Sequence, residues 1–196
     1  MQNQNIDKRA AILKAGMELI AKNGFHGSPT AMIAARAGVG TGTIYRYFAD
    51  KDQLIHEIFK DIETRLNTVL INDYPLDQSV RHRLDHYFTS MIGFFTTNPM
   101  EFQFTCQFYD SPYGLALRRD KIFSENNNHG GCESIKSLFE QGIAEGVIKD
   151  LPIVILFALF IGSMISATRD HILGFIEFDQ HLLRQMADAC WDAIKR

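Results

Sequence analysis

Residues 28–51 read SPTAMIAARAGVGTGTIYRYFADK. Two short helical patterns are joined there by Gly38-Val39-Gly40-Thr41, and the second is crowded with small, hydroxyl, aromatic and cationic side chains. Ser28-Pro29 reads as a helix start: the serine oxygen is placed to cap free N–H groups, and proline at the first helical position gives up no hydrogen bond. The pattern carries Met32-Ile33-Ala34-Ala35 and stops before Gly38, where glycine accepts left-handed backbone. The second pattern, 41–48, follows after a turn short enough to set two helices steeply across each other. Ile44 and Phe48, four apart, face inward with Val39. Thr41, Thr43, Arg46 and Tyr47 face outward, with Tyr45 at the edge. These side chains donate to phosphate oxygens and base edges, and Gly42 lets the backbone approach a duplex closely.

Upstream, a helix is expected over 7–23, with Ile12, Gly16, Leu19 and Ile20 on one face, Asn23-Gly24 as its stop and Phe25 packing back on it. Downstream, Asp50 is a suitable cap for a long helix from Lys51 to Asn72, with Leu54, Ile55, Ile58, Phe59, Ile62, Leu66, Val69 and Leu70 inside, ended by Tyr74-Pro75. From Leu76 on, only helical patterns follow: 77–97, 99–109, 112–123, 133–145, 152–173 and 179–195. A loop-like run, 124–131, interrupts them. The fold class is therefore all-α: a three-helix helix-turn-helix domain (1–50) joined to a larger helical domain (51–196).

The 196 residues are 46% apolar, enough for a sizeable core, with a formal charge of -3. That charge is uneven: Lys8, Arg9, Lys14, Lys22, Arg36 and Arg46 stand against Asp7, Glu18 and Asp50 in the first fifty residues, so the head is basic and the body acidic. The three cysteines, Cys106, Cys132 and Cys190, show no CxxC spacing, which reads as reduced thiols in a cytoplasm. The N-terminal MQNQNIDKRAAIL lacks the apolar core of a signal peptide, so no export is expected.

Residues 33–54, IAARAGVGTGTIYRYFADKDQL, resemble the DNA-binding signature of the TetR/AcrR family of bacterial transcriptional regulators. Ile33-Ala34, Ala37-Gly38-Val39, Gly42-Thr43-Ile44-Tyr45, Tyr47-Phe48, Lys51 and Leu54 sit at the family's spacing. The resemblance implies a homodimer whose third helices enter major grooves. It implies base and phosphate contacts by Thr41, Thr43, Tyr45, Arg46 and Tyr47, with Ser28 near phosphate and Lys51 as the phosphate-binding lysine. It also implies a ligand cavity in the body and dimerisation through the last two long helices. Where the family often has Ser-Lys, this chain has Gly40-Thr41, so Arg46 is expected to carry more of the phosphate or guanine contact.

In the body, thirteen of the fifteen phenylalanines lie after residue 50. Such stripes are core more often than cofactor box. They are nevertheless mixed with Gln103, Cys106, Gln107, Tyr109 and Asp110, and an apolar cavity with a few placed polar groups suits a small aromatic or amphipathic ligand. Candidate lining residues are Phe59, Ile62, Phe88, Met91, Phe95, Gln103, Cys106, Gln107, Phe123 and Phe157. The uncharged run 151–168 approaches the length of a membrane span, but Arg169-Asp170 follow at once, and burial against a second subunit accounts for it without a membrane. Ile155, Leu159, Gly162 and Ser166, with Leu183, Met186 and Trp191 of the last helix, are the expected dimer interface.

His82 and His86 share a helix face, but Arg81 and Arg83 beside them disfavour a cation, and no metal or cofactor is expected. No nucleophile with its base, P-loop or dinucleotide fingerprint appears, so no catalytic residue is assigned. The reading is a ligand-responsive homodimeric repressor, released from its operator DNA by a small molecule. The rival is a ligand-binding or scaffold protein with a vestigial head.

Overall fold

A computed structural model of the chain describes residues 2–123 and 134–196, with side chains from residue 8 onward. The expected loop at 124–131 and Cys132 lie outside the described residues. Regular structure among the described residues is helical, apart from one isolated antiparallel bridge between Ile148 and Lys195. The helices are α1 (Gln2–Asn23), α2 (Thr30–Arg36), α3 (Thr41–Tyr47), α4 (Lys51–Ile71), α5 (Val80–Thr97), α6 (Pro99–Tyr109), α7 (Pro112–Phe123), α8 (Ile135–Ala144), α9 (Ile153–Phe157), α10 (Ser163–Ile172) and α11 (Gln180–Ile194). They form two compact units, one of Met1–Arg65 with Asn98–Arg118, the other of Leu66–Thr97 with Arg119–Arg196. The chain leaves the first unit within α4, returns to it between α5 and α6, and leaves it again within α7.

The first unit is built on Ile12, Ile20, Ile33, Ile44, Phe48, Leu54, Ile55 and Ile58, each almost wholly buried. Each such side chain contributes roughly 1.5–3 kcal/mol of gross burial free energy. The turn between α2 and α3 depends on Gly38, whose φ of 67° lies in the left-handed region that a Cβ disfavours. At α4, Asp50 Oδ1 accepts from the Gln53 N–H at 2.7 Å, while the Gln53 side chain accepts from the Ala49 N–H at 2.5 Å. Asp50 is the cap the sequence suggested, and the Gln53 bond makes the arrangement reciprocal, satisfying N–H groups at the helix start.

One expectation about this unit is corrected. Ser28 does not cap α2: Pro29 occupies the cap position without a side-chain bond, and the Ser28 hydroxyl donates to the Gly24 carbonyl at 2.9 Å. Phe25 packs on Phe104 of α6 and Tyr113 of α7, at ring distances of 6.2 and 5.1 Å. The compact unit thus takes in α6 and the start of α7. Gln107 of α6 donates its amide to the Ala21 carbonyl at 2.8 Å, and Phe108 stacks on Phe59 of α4 at 4.1 Å.

The second unit centres on Leu84, Phe88, Leu138, Phe139, Leu156, Phe160 and Ile194. Phe139 meets Phe157 and Phe160 edge-on, and Phe88 meets Phe160 in the same way. Helix α5 begins at Val80 instead of the expected 77, with the Ser79 oxygen facing the His82 N–H at 3.4 Å. Ser134 caps α8 at 3.1 Å and Asp179 caps α11 at 2.7 Å. The expected uniform helix 152–173 contains a wider, π-type turn, Ala158–Gly162, between α9 and α10. The Ser163 hydroxyl donates to the Leu159 carbonyl there at 2.6 Å, and a side-chain donor competing for backbone carbonyls is a recognised cause of such a distortion. Residues Ile153–Ile172 are long and apolar enough to cross a membrane. They bury one stripe in their own unit, through Leu156, Phe160, Met164 and Thr168.

Candidate nucleic-acid interface

Helix α3 is short, and its two sides differ sharply. Ile44 is fully buried and Phe48, just beyond its end, almost so. Thr41, Gly42, Tyr45 and Arg46 are exposed, and Thr43 and Tyr47 are half-buried. Gly40 enters the helix with extended backbone and provides no side-chain cap. A Cβ built on Gly42 would meet nothing within 4 Å, so packing within the chain does not demand glycine there. The open space suits the approach of another backbone.

The charges around this face are sorted. Arg9 bonds Glu57 at 2.5 Å and lies over the Phe48 ring, 5.5 Å from its centroid. Arg36 pairs with Glu18, its Nε 2.8 Å from Oε2. Both arginines are therefore engaged in holding the head together, whereas Arg46 is exposed on α3. Lys51, at the start of α4, donates its ammonium to the Phe25 carbonyl. Burial pushes its pKa below the ordinary lysine value, against the opposing effect of neighbouring Asp52.

Ser28 stands apart from the other residues expected at DNA. It has no exposed surface, and its hydroxyl is turned inward to Gly24. Its role in this structure is to tie the α1–α2 turn. Thr41, Gly42, Thr43, Tyr45, Arg46 and Tyr47 share α3, with Lys51 four residues beyond its end. Sequence reasoning placed Gln107 at the ligand and did not foresee that Phe104, Gln107 and Tyr113 support the head from α6 and α7. The signals available were the aromatic density of 102–113 and Gly114, where a Cβ would stand 2.3 Å from the Phe108 carbonyl oxygen and force the α6–α7 turn open.

The expected ligand residues are divided between the units. Phe59, Ile62, Gln103, Cys106 and Gln107 belong to the first, Phe88, Met91, Phe95, Phe123 and Phe157 to the second. Phe59, Ile62, Phe88 and Phe95 are buried, whereas Gln103 is exposed and Phe123 is 64% exposed at the end of α7. Gln107 is engaged with Ala21. Polar groups inside the first unit include Glu101, whose Oε1 accepts from Arg65 at 2.6 Å. Its Oε2, and Thr105 Oγ1 one turn on, are buried without a hydrogen-bond partner among the described residues.

Of the expected interface residues, Ile155, Leu159, Gly162 and Ser166 are exposed along one side of α9, the π-type turn and α10. Leu183, Met186 and Trp191 of α11 are half-buried against the core of their own unit. His86 faces the Leu70 carbonyl at 2.9 Å and His82 faces the Ser79 hydroxyl at 3.0 Å. Both imidazoles thus have polar neighbours within the fold.

Comparison with known proteins covers nearly the whole chain. The family model for bacterial regulatory proteins, tetR family, matches residues 12–58, and that for the tetracyclin repressor-like C-terminal domain matches residues 59–196. The Fatty acid metabolism regulator protein of Bacillus subtilis is 43% identical over 58 residues, which is 30% of this chain and 30% of that protein. A TetR family transcription regulator from Marinobacter aquaeolei superposes with a TM-score of 0.85 at 21% identity, covering 100% of this chain and 99% of that one. The regulator FadR from Bacillus subtilis, solved in complex with stearoyl-CoA, superposes with a TM-score of 0.70 at 20% identity, covering 93% of this chain and 95% of that one.

Proposed function

Because the chain belongs to the TetR family of bacterial transcriptional regulators, we propose that it works as a cytoplasmic homodimeric repressor whose α3 helices read an operator. An apolar or amphipathic small molecule bound in the body releases it. The observation that carries this reading is the division of α3: Ile44 anchors it from within, while Thr41, Gly42, Tyr45 and Arg46 form an exposed face of hydroxyl, open backbone, phenol and guanidinium. Thr43 and Tyr47 border that face, and Lys51 supplies a phosphate contact beside it. Arg46 is the residue best suited to guanine or to a pair of phosphate oxygens, since its fork of donors matches both.

Dimerisation supports the two-headed arrangement. The exposed stripe Ile155, Leu159, Gly162 and Ser166 covers the same stripe of a second copy, with Leu183, Met186 and Trp191 beside it, and two heads then span two half-sites. This also accounts for the apolar run Ile153–Ile172 without a lipid phase.

For the effector, the regulator FadR of Bacillus subtilis was solved with stearoyl-CoA, so a long-chain acyl thioester is the first compound to test. The aromatic content of the body favours an apolar chain, and the unpartnered oxygens of Glu101 and Thr105 would accept or donate to a polar group. An effector shifts the protein off DNA only by binding the DNA-free arrangement more tightly.

The test is fluorescence anisotropy with duplex DNA from upstream of the chain's own gene, against a scrambled duplex, at moderate salt. Specific binding by the wild type, lost in Arg46→Ala and weakened by stearoyl-CoA, is the expected result. A folded dimer that does not distinguish the two duplexes would instead favour a ligand-binding protein with a vestigial head.

A further inference from the structure

Lys51 is held before any DNA arrives. Its ammonium donates to the Phe25 carbonyl, and Phe25 is itself fixed by the rings of Tyr113, at 5.1 Å, and Phe104, at 6.2 Å. Tyr113 also donates its hydroxyl to Asp52 Oδ1 at 2.9 Å. One tyrosine at the start of α7 therefore touches the neighbourhood of Lys51 from both directions. Its ring steadies the residue that holds the lysine, and its hydroxyl occupies the carboxylate next to the lysine in sequence. His56 completes the surroundings, its ring 5.9 Å from that of Tyr113.

Tyr113 has little slack. It precedes Gly114, where even a methyl group would collide with the Phe108 carbonyl oxygen and the Tyr109 Cα. Its position is thus set by the tight turn between α6 and α7. A lysine held in place loses less rotamer freedom on meeting a phosphate than an unrestrained one. A carboxylate engaged by a phenol also competes less for the adjacent ammonium.

We propose that Tyr113 is a positioning residue for the phosphate contact of Lys51, acting through the Phe25 carbonyl and through Asp52. The α6–α7 turn then controls one phosphate contact of the head directly, alongside whatever α4 transmits. This rests on the reading that Lys51 meets a phosphate, and the experiment separates the two.

A duplex selected by the wild-type dimer from a randomised pool serves as probe, and affinity is measured across a range of KCl concentrations. Losing one phosphate contact reduces the salt slope by about one unit, so a dimer that loses it at both heads drops by about two. Lys51→Ala is expected to show that loss with weaker binding. Tyr113→Ala should show most of the same loss, and adding it to Lys51→Ala should reduce the slope no further. Tyr113→Phe keeps the ring on Phe25 but frees Asp52, so it should fall between, and Asp52→Asn added to it should restore the slope. Thermal melting of each variant separates unfolding from lost contact, and Tyr113→Phe carries the test if Tyr113→Ala fails to fold. An unchanged slope in Lys51→Ala sinks the phosphate reading, and the inference with it. A reduced slope in Lys51→Ala with wild-type slopes in both Tyr113 variants, or full additivity of the double variant, overturns the inference alone.

Discussion

Phe59 of α4 and Phe108 of α6 stack face to face, with centroids 4.1 Å apart and planes 11° from parallel. Phe108 has no exposed surface, and Tyr109 meets Phe59 edge-on at 5.4 Å. This pair ties the long helix behind the head to the aromatic helix laid against α1. Truncating Phe108 to alanine removes a large buried ring and leaves a cavity, at a cost of about 3–5 kcal/mol. Urea unfolding followed by far-UV circular dichroism should show an unfolding free energy lower by that amount and a correspondingly lower midpoint.

Ser28→Ala separates structure from DNA contact. The wild-type hydroxyl is buried and donates to the Gly24 carbonyl, so its removal leaves that acceptor short of a partner and should destabilise the fold by about 1–2 kcal/mol. The salt dependence of DNA binding by the folded variant should match the wild type, because no phosphate contact is lost. A reduced salt slope with unchanged melting would restore Ser28 as a DNA contact.

The helix-turn-helix was legible because its signals are local. Gly38, the Ile44/Phe48 spacing and the Asp50 cap each act within a few residues, and each stands where the chain suggested. The support from α6 was not legible, because Gln107 reaches Ala21 across 86 positions of sequence and no periodicity encodes that meeting. Ser28 misled for a related reason: a serine before proline suits a cap, but the turn at Gly24 offers its buried hydroxyl a carbonyl acceptor that only the folded chain brings near. The π-type turn was hidden because a helix apolar nearly all round has no phase to lose. The ligand residues were read from composition, which names aromatic side chains without saying which are already filled by their neighbours.

Asp85 offers a prediction with a defined sign. Burial is the largest influence on its carboxyl and holds the pKa above the usual carboxylate value, even though Arg81 lies at 2.9 Å; Asp188 adds to the rise. The folded state therefore binds this proton more tightly than the unfolded chain. Stability should fall as pH rises from the ordinary aspartate pKa through the raised one, and the ionised form carries that deficit above it. Asp85→Asn should remove this part of the pH profile. At neutral pH it should lie within about 1 kcal/mol of the wild type or be slightly more stable, since a half-exposed ion pair contributes little. Urea titrations across the acidic range would show this, and a large loss at neutral pH would contradict it.

The exposed stripe on α9 and α10 supplies the last prediction. Ile155 and Leu159 are 44% and 36% exposed, and Gly162 and Ser166 continue them at helical spacing on the same side. The opposite stripe, Leu156, Phe160 and Met164, is buried in the core of the unit, so substitutions on the exposed side leave the monomer's own packing intact. An aspartate at Leu159 would have to surrender its hydration at a self-complementary interface, facing its own copy across a two-fold axis. Leu159→Asp should therefore be monomeric at micromolar concentration by light scattering, with melting close to that of the isolated subunit and much weaker binding to a two-half-site duplex. Binding to a single half-site should be nearly unchanged, since α3 is untouched. Val147→Asp, at an exposed apolar position in the turn after α8, is the control and should remain dimeric. If Leu159→Asp remains dimeric while Val147→Asp does not, the subunits meet through the α8 end of the body, and the stripe on α9 and α10 is not the interface.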